Sequence, residues 1–391
     1  MAFQRRHGLC MVPHPSLTLD ELAGPWIHLA GTEGAIRSLG YRVVLARYGV
    51  LERLLQCERL LVIGPAARVA SELLLPWVVA ASCLRTDLVP YIRHYHDMTP
   101  AYFLLRLVRR PFVVEVNATL YEEPHRFSRS PAWLLRLARR LETTALKKAD
   151  VLIAVSGVLR ERMLERGFDP SRVVAVHNGI ECDVHDVPAV DQETSGIVYV
   201  GHFKSWHRVE LLLDAYGEIA EWTDERLLLV GEGDSEALRT RATSLGVADR
   251  IAFLGRRSRG EVGELMRRAR VLVLPNTADY GSPLKLFEYL ASGRPAVLPD
   301  LPNIREVVVD REHAFLFAPG DRHALASCIN RLIADPAEGD EVGRRGRELV
   351  CREYTWRASA ARTIHGISEH IPLTPENSDQ AEEMPCRSTS S

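Results

Sequence analysis

The segment Tyr280-Gly-Ser-Pro-Leu-Lys-Leu-Phe-Glu288 gathers residue types that can hold a phosphorylated ligand. Ser282 is a preferred N-cap, Pro283 suits the first helical position, and Lys285 falls in the first turn. The unpaired N–H groups and the dipole of a helix start attract anions. A lysine there opposes the dipole unless an anion lies between the two, so Lys285 itself hints at a bound phosphate. Glu288 lies nearly two turns further on. Alone it reads as a solvated helix glutamate, but its distance from Ser282 suits a ligand whose phosphate meets the helix start while its ribose hydroxyls reach a carboxylate. Gly293 and Pro295 mark the end of the helix. A second group, Gly201-His-Phe-Lys-Ser-Trp-His-Arg208, follows the apolar run Ile197–Val200. Its cations, His202, Lys204, His207 and Arg208, stand just past a strand end, where they suit phosphate neutralisation. The chain holds four lysines, Lys147, Lys148, Lys204 and Lys285, among 49 cations, and two of the four fall in these two groups. Asn178-Gly179, at another strand end, reads as a turn.

These groups need a scaffold that brings strand ends and helix starts together. Short apolar runs alternate with longer amphipathic segments, the pattern of a parallel α/β architecture. Strands are expected at Gly8–Val12, Arg42–Ala46, Leu60–Ile63, Leu88–Ile92, Phe112–Val116, Val151–Val155 and Val173–Val176 in the first half. In the second half they are expected at Ile197–Val200, Leu227–Val230, Ile251–Phe253, Val271–Leu274, Pro295–Leu298 and Ala314–Phe317. Helical patterns between them include Ile27–Leu39, Ala66–Leu84, Ala132–Ala149, Val209–Ile219, Arg259–Arg268 and Pro283–Ser292. About six strands per half with helical crossovers gives two Rossmann-like domains: 1–188, and 189–355 after a polar linker near Val184–Ser195. A last helix, about 356–370, is expected to pack back on the first domain, and 374–391 reads as a disordered tail. Neither half shows GxGxxG after its first strand, which argues against a nicotinamide dehydrogenase. Gly231–Asp234 (GEGD) reads as a plain strand-to-helix turn.

The composition narrows the function classes. Of 391 residues, 49 are Lys or Arg and 51 Asp or Glu, a net charge of −2, which argues against a nucleic-acid binder. No apolar run reaches the ~20 residues of a membrane span. The cysteines 10, 57, 83, 182, 328, 351 and 386 form no CxxC or Cys/His cluster, so free thiols in a reducing cytoplasm and no metal site are expected. The excess of arginine over lysine suggests a GC-rich bacterial genome. Arg126–Lys148 is basic and amphipathic, with Leu134, Leu137, Leu141 and Ala145 on one face. It is expected to pack that face on the sheet, with docking on anionic membrane as the other reading.

The segments ADVLIAVSGVLRERM (from Ala149), VVAVHNGIE (Val173), YVGHFKSWHRVELLLDA (Tyr199), LLLVGEGD (Leu227), IAFLGRRSRGEV (Ile251) and SPLKLFEYLASGRPAV (Ser282) together resemble the retaining GT-B glycosyltransferases of the family 4, or group 1, type. In the first half the resemblance is looser. VVEVNATLYEE (Val113–Glu123) is similar to an EVNAP…EE subgroup, and Asp87–Arg93 to a D-x-x-Y-x-R segment with one residue extra.

The resemblance implies two Rossmann-like domains facing across a cleft, with a nucleotide-diphosphate sugar, UDP or GDP, as donor and no cofactor or metal. Glu288 would bind the ribose, the backbone of Gly281, Ser282, Pro283 and Leu284 the diphosphate, and Gly255 and Arg256 the base. Gly201, His202, His207 and Tyr280 complete the expected donor site. Lys204, Arg208 and Lys285 are the expected catalytic cations that stabilise the leaving diphosphate. His202 and His207 stand where the family usually has Arg and Lys, and Tyr280, beside Asp279, where it usually has a sugar-binding glutamate. The acceptor, a small molecule, natural product or glycan, would meet Asn117, Glu122, Glu123, His94 and His96. Other readings of the same fold are an enzyme forming C–S or C–N bonds on an activated sugar, a pseudo-transferase, or a catalytically impaired sugar-nucleotide binder.

Overall fold

The computed structural model describes residues 8–12, 24–45, 77, 80–81, 83, 87–123, 130–182 and 196–375. The chain divides into two compact units: Met1–His177 with Trp356–Ser391, and Asn178–Thr355.

The first unit runs β1 (Gly8–Val12), α1 (Gly24–Ser38), β2 (Arg42–Leu45), β3 (Val89–Arg93), α2 (Thr99–Leu107), β4 (Val113–Val116), α3 (Ala132–Leu146), β5 (Val151–Ala154), α4 (Gly157–Glu165) and β6 (Val173–Ala175). Its sheet is parallel, in the order β2-β1-β3-β4-β5-β6. Strands β4 and β5 are apolar or buried at every position, as a sheet covered on both faces requires. The order changes direction between β1 and β3. Right-handed crossovers therefore place α2, α3 and α4 on one face and α1 on the other. There α1 packs against the C-terminal helix Trp356–Ser368. At Gly31 any Cβ would come within 2.4 Å of the Trp356 ring, so this contact needs glycine. The strand expected at Leu60–Ile63 lies outside the described residues, as does most of the helix expected at Ala66–Leu84.

The amphipathic stretch differs from expectation. Helix α3 buries Glu142, Ala145 and Leu146, while Leu137 and Leu141 point to solvent. Glu142 can face inward because its carboxylate is fully engaged, by His94 and by the Leu120 N–H.

The second unit runs β7 (Ile197–Val200), α5 (Val209–Ile219), β8 (Leu227–Val230), α6 (Ser235–Ser244), β9 (Ile251–Gly255), α7 (Arg259–Arg268), β10 (Val271–Val273), α8 (Leu284–Ala291), β11 (Ala296–Pro299), α9 (Pro302–Arg305), β12 (Phe315–Phe317), α10 (Arg322–Ala334) and α11 (Pro336–Glu353). The sheet is again parallel, ordered β12-β11-β10-β7-β8-β9, and changes direction between β7 and β10. Helix α11 has no expectation in the sequence reading. Gly339, Gly343 and Gly346 weaken its helical signal, yet all three face inward. A Cβ at Gly343 would stand 2.4 Å from the Gly293 carbonyl oxygen, so these glycines allow close packing.

Two expectations are corrected here. The second unit begins at Asn178, about ten residues before the expected boundary at 188/189. Asn178 is bonded to Ser282, and the Ile180 N–H donates to the Tyr354 carbonyl, which ties this stretch to the second unit. The cysteines are also not all free. Cys182 and Cys351 form a disulfide across 169 residues of sequence, a pairing that spacing alone does not reveal. The argument for a reducing compartment rested on unpaired cysteines and loses its basis. Cys10, Cys83 and Cys328 are free, and Cys57 and Cys386 lie outside the described residues.

Candidate active site

The switch point of the second sheet is where the two groups of chemistry-bearing residues meet. The β7–β10 pairing ends at Val198 and Leu272. Beyond it the strands diverge and open a crevice at their carboxyl ends, the usual ligand position in such sheets. The Tyr289 hydroxyl, from α8, fills the floor. It accepts from the Val200 N–H at 2.9 Å and lies 3.4 Å from the carbonyl oxygens of Val200 and Val273. Backbone groups orphaned by the diverging strands are thereby satisfied.

Lys285 crosses this crevice. Its Nζ donates to the Tyr199 hydroxyl and to His207 Nε2, both at 3.3 Å. Tyr199 in turn donates to the His202 carbonyl at 2.9 Å. The lysine passes so close to the end of β7 that a Cβ at Gly201 would lie 2.1 Å from Nζ, and Gly201 has φ 143°, so only glycine fits. His207 points its other ring nitrogen at the Asn276 carbonyl, 3.5 Å away. With Nδ1 donating there, Nε2 is free to accept from Lys285. Burial, then the Lys285 charge, lowers the His207 pKa to about 4, and the charges of His202 and Lys204 act in the same direction. The imidazole is neutral at physiological pH. Burial likewise lowers the Lys285 pKa to about 8, opposed by Glu288. Burial raises the Glu288 pKa, opposed by Arg259 and Lys285.

Ser282 does not cap α8 as expected. The cap position is Pro283, with no side-chain cap bond. The Ser282 hydroxyl accepts instead from the Asn178 N–H at 2.9 Å, and Asn178 Nδ2 donates to the Ser282 carbonyl. The first turn of α8 therefore keeps N–H groups that no side chain caps, which favours an anion there. Two more asparagines hold the facing loop. Asn276 Nδ2 donates to the Trp206 carbonyl at 2.8 Å. Asn303, 1% exposed, donates to the carbonyls of Ala278 and Gly281 at 2.9 and 2.8 Å and so pins the loop that carries Asp279 and Tyr280.

The other expected donor residues surround this core. His202, Lys204 and Arg208 are exposed on the loop after β7, with the Lys204 ammonium 4.9 Å from the Trp206 ring centroid. Arg208 opens α5 in a left-handed conformation, φ 49°. Gly255 ends β9, and its carbonyl accepts from the Gly231 N–H at 3.0 Å, with Arg256 exposed beside it. Sequence reasoning missed Tyr199, Tyr289, Asn276 and Asn303, and took Asn178 for a simple turn. For Tyr199 and Asn276 the available signal was a polar residue just inside or just past the carboxyl end of β7 or β10, whereas Tyr289 and Asn303, on α8 and α9, carried no such signal.

The acceptor candidates lie in the first unit. A pocket of about 170 Å³ is lined by Arg93, His94, His96, Asn117, Thr119 and Glu123, among others. Glu122 is not on its wall. Its carboxylate accepts from the Thr119 N–H and hydroxyl and from Arg166, in a tight turn that turns it away. His94 is buried, with Nε2 on Glu142 and Nδ1 on the Tyr102 hydroxyl, each at 3.0 Å. Asn117 bridges Arg93 and Glu115. Glu115, a carboxylate inside a buried strand, was also missed. It accepts from His28 and Tyr91 as well as Asn117. Burial opposes its ionisation, but His28, Arg93 and Asn117 outweigh it and hold the carboxyl well below the usual range. Among the described residues no group of three or more His, Cys, Asp or Glu side chains is placed to hold a metal ion.

Two family models divide the chain between them. The model described as glycosyltransferase family 4 matches residues 27–184, and the model of glycosyl transferases group 1 matches 194–335. The chain belongs to the group 1, family 4 glycosyltransferases. A phosphatidyl-myo-inositol mannosyltransferase of Mycobacterium leprae is 30% identical over 219 residues, 54% of this chain and 57% of the relative. An alpha-maltose-1-phosphate synthase of Mycobacterium tuberculosis is 27% identical over 260 residues, 57% of this chain and 64% of the relative. The match thus spans less than two thirds of either relative. Among solved structures, sucrose-phosphate synthase from Thermosynechococcus elongatus superposes with TM-score 0.72 at 18% identity, covering 93% of this chain and 99% of that one. Anabaena HepE in complex with UDP gives 0.70 at 17%, covering 93% and 100%. These likenesses establish the fold, the two parallel-sheet Rossmann-like halves of the GT-B glycosyltransferases.

Proposed function

We propose that this family 4 glycosyltransferase is a retaining, metal-independent enzyme that moves a sugar from a UDP- or GDP-sugar to a hydroxyl of a small-molecule, natural-product or glycan acceptor. The observation that carries the reading is Lys285. A lysine desolvated to a pKa of about 8 lies across a switch-point crevice, beside a helix start that no side chain caps. Only Glu288 favours its charge. A diphosphate would supply the missing anion and occupy the uncapped N–H groups of α8. That HepE is described with UDP and with UDP-glucose supports the nucleotide class.

In the proposed reaction the bond between the sugar anomeric carbon and the diphosphate oxygen breaks, and a bond to the acceptor oxygen forms on the same face. The acceptor proton passes to the leaving phosphate. Lys285, with Lys204 and Arg208 from the loop after β7, stabilises the negative charge that develops on the leaving group. His207, being neutral, adds no charge but positions Lys285 through Nε2. Glu288 accepts from the ribose hydroxyls. The acceptor would enter the pocket lined by Asn117, His94 and Glu123.

The test is thermal stability with UDP, GDP, dTDP and ADP at millimolar concentration. A nucleotide at ~100 times its dissociation constant stabilises the fold by ~2.7 kcal/mol. A shift with UDP or GDP that persists in EDTA is expected. No shift with any of the four would sink the donor reading.

A further inference from the structure

The helices α2 and α3 pack side by side on one face of the first sheet, and their outer faces are unusual. Along α3, Trp133, Leu137 and Leu141 follow one another at intervals of four residues, and all three are exposed, Trp133 to 60%. From the end of α2, Phe103, Leu107 and Val108 are exposed as well, Leu107 to 79%. Thirteen large apolar residues are exposed among the described residues, and six stand on these two neighbouring helices or their ends. Burial of that face against the sheet is excluded, because the inward positions are taken by Ala101, Tyr102 and Leu105 from α2 and by Glu142, Ala145 and Leu146 from α3.

The exposed charges on these two helices have one sign. Arg106, Arg109, Arg136 and Arg140 are exposed on the same helices or their ends. Among the described residues the only carboxylate on either helix is Glu142, which is buried against His94 and the Leu120 N–H. Arg106 has a partner in Asp150, at 3.5 Å. An apolar stripe with a tryptophan at one end and guanidinium groups on its flanks matches the boundary layer of an anionic bilayer. The apolar side chains enter the acyl region while the arginines meet phosphate groups. No helix among the described residues is long and apolar enough to cross a membrane.

We propose that the outer face of α2 and α3 docks on an anionic phospholipid bilayer. The surface stands apart from the donor reading, and its test does not depend on activity. It does adjoin the candidate acceptor pocket: α3 supplies Glu142 to the pocket wall, and Arg139 donates from α3 to the Leu120 carbonyl of that wall at 3.1 Å. Docking would bring a membrane-borne acceptor close to that wall.

The experiment is co-sedimentation of the full chain with vesicles of phosphatidylcholine alone or mixed equally with phosphatidylglycerol. The expected result is binding to the mixed vesicles that is at least about tenfold stronger than to neutral ones and is largely lost in 0.5 M salt. The outward variants Leu137→Gln with Leu141→Gln, and Arg136→Gln with Arg140→Gln, should each weaken binding about tenfold or more. An unchanged melting temperature would show that these variants still fold. Equal binding to both vesicle types, or full binding by the leucine pair variant, overturns the proposal. So does concentration-dependent self-association that the leucine pair abolishes while vesicles are ignored, because the face would then belong to a second copy.

Discussion

Among the described residues each unit builds a six-stranded parallel sheet with one change of direction, yet the two treat charge at the carboxyl ends of their strands in opposite ways. In the second unit Lys285 is desolvated, its histidine neighbour is neutral and adds no charge, and no side chain caps the nearest helix start. In the first unit Glu115 is more deeply buried but is surrounded by His28, Tyr91, Arg93 and Asn117, all directed at its two oxygens. One site is electrostatically incomplete and the other complete. Topology supplies the crevice in both cases, and the balance of charge decides which crevice is poised for an ion and which is part of the scaffold.

The comparison breaks most easily at Glu115. Removing one member of a buried, paired cluster leaves the others uncompensated, which costs ~3–5 kcal/mol. Glu115→Ala should therefore lower the free energy of unfolding by that order, as denaturant titration would show, while nucleotide affinity measured on the folded protein stays unchanged. A stable variant with weakened nucleotide binding would mean that the first unit's cluster is not scaffold. Lys285→Ala is the opposite case. Loss of a group that stabilises the charge developing on the leaving diphosphate lowers turnover by about a hundredfold or more, or ~2.7 kcal/mol. The unliganded protein should be no less stable, because a desolvated cation has been removed. Unchanged turnover would take Lys285 out of the mechanism.

The incomplete site also has a pH signature. The Lys285 pKa of about 8 lies below its ordinary 10.5. Between these values the unfolded chain binds more protons than the folded one, so this group makes stability rise with pH across that window. Nucleotide binding runs the other way. A diphosphate favours the charged lysine, so above pH 8 binding must take up a proton. Affinity should then fall by up to tenfold per pH unit, about 1.4 kcal/mol. Lys285→Arg keeps its charge throughout and should flatten the profile between pH 8 and 9.5, as titration calorimetry at several pH values would show. A wild-type profile that is already flat would assign the nucleotide charge to other cations.

Much of this difference was legible before the structure. Alternation of apolar runs and amphipathic segments placed both sheets, and Lys285, Gly201 and Glu288 stood out by type and position. What sequence could not show was direction. Ser282 has the residue type of a cap, but its hydroxyl is drawn off by Asn178, 104 residues away in the chain. Leu137 and Leu141 have the spacing of a core face, but the buried stripe of α3 is offset from theirs and holds a charged residue, Glu142, because His94 waits for it. Cys182 and Cys351, like Glu122 with Arg166, depend on contacts far apart in sequence. Helix α11 was hidden because its glycines report on close packing rather than on local preference.

The smallest effect tests whether an incomplete site needs rigid walls to stay poised. Asn303 touches no residue expected to meet the donor through its side chain. It acts on the loop 278–281 through two backbone carbonyls. Each such bond contributes ~1 kcal/mol net, and part of that energy holds the loop in the form that faces Lys285. Asn303→Ala should thus weaken nucleotide binding by about fivefold to tenfold while turnover at saturation changes little, since the charge-bearing groups remain. Asn303→Asp keeps the shape and one oxygen but loses both N–H donors, so it should behave like the alanine variant and not like the wild type. If the aspartate variant binds nucleotide normally, the loop is held by its own turns, and the second unit's crevice owes its form to the diverging strands alone.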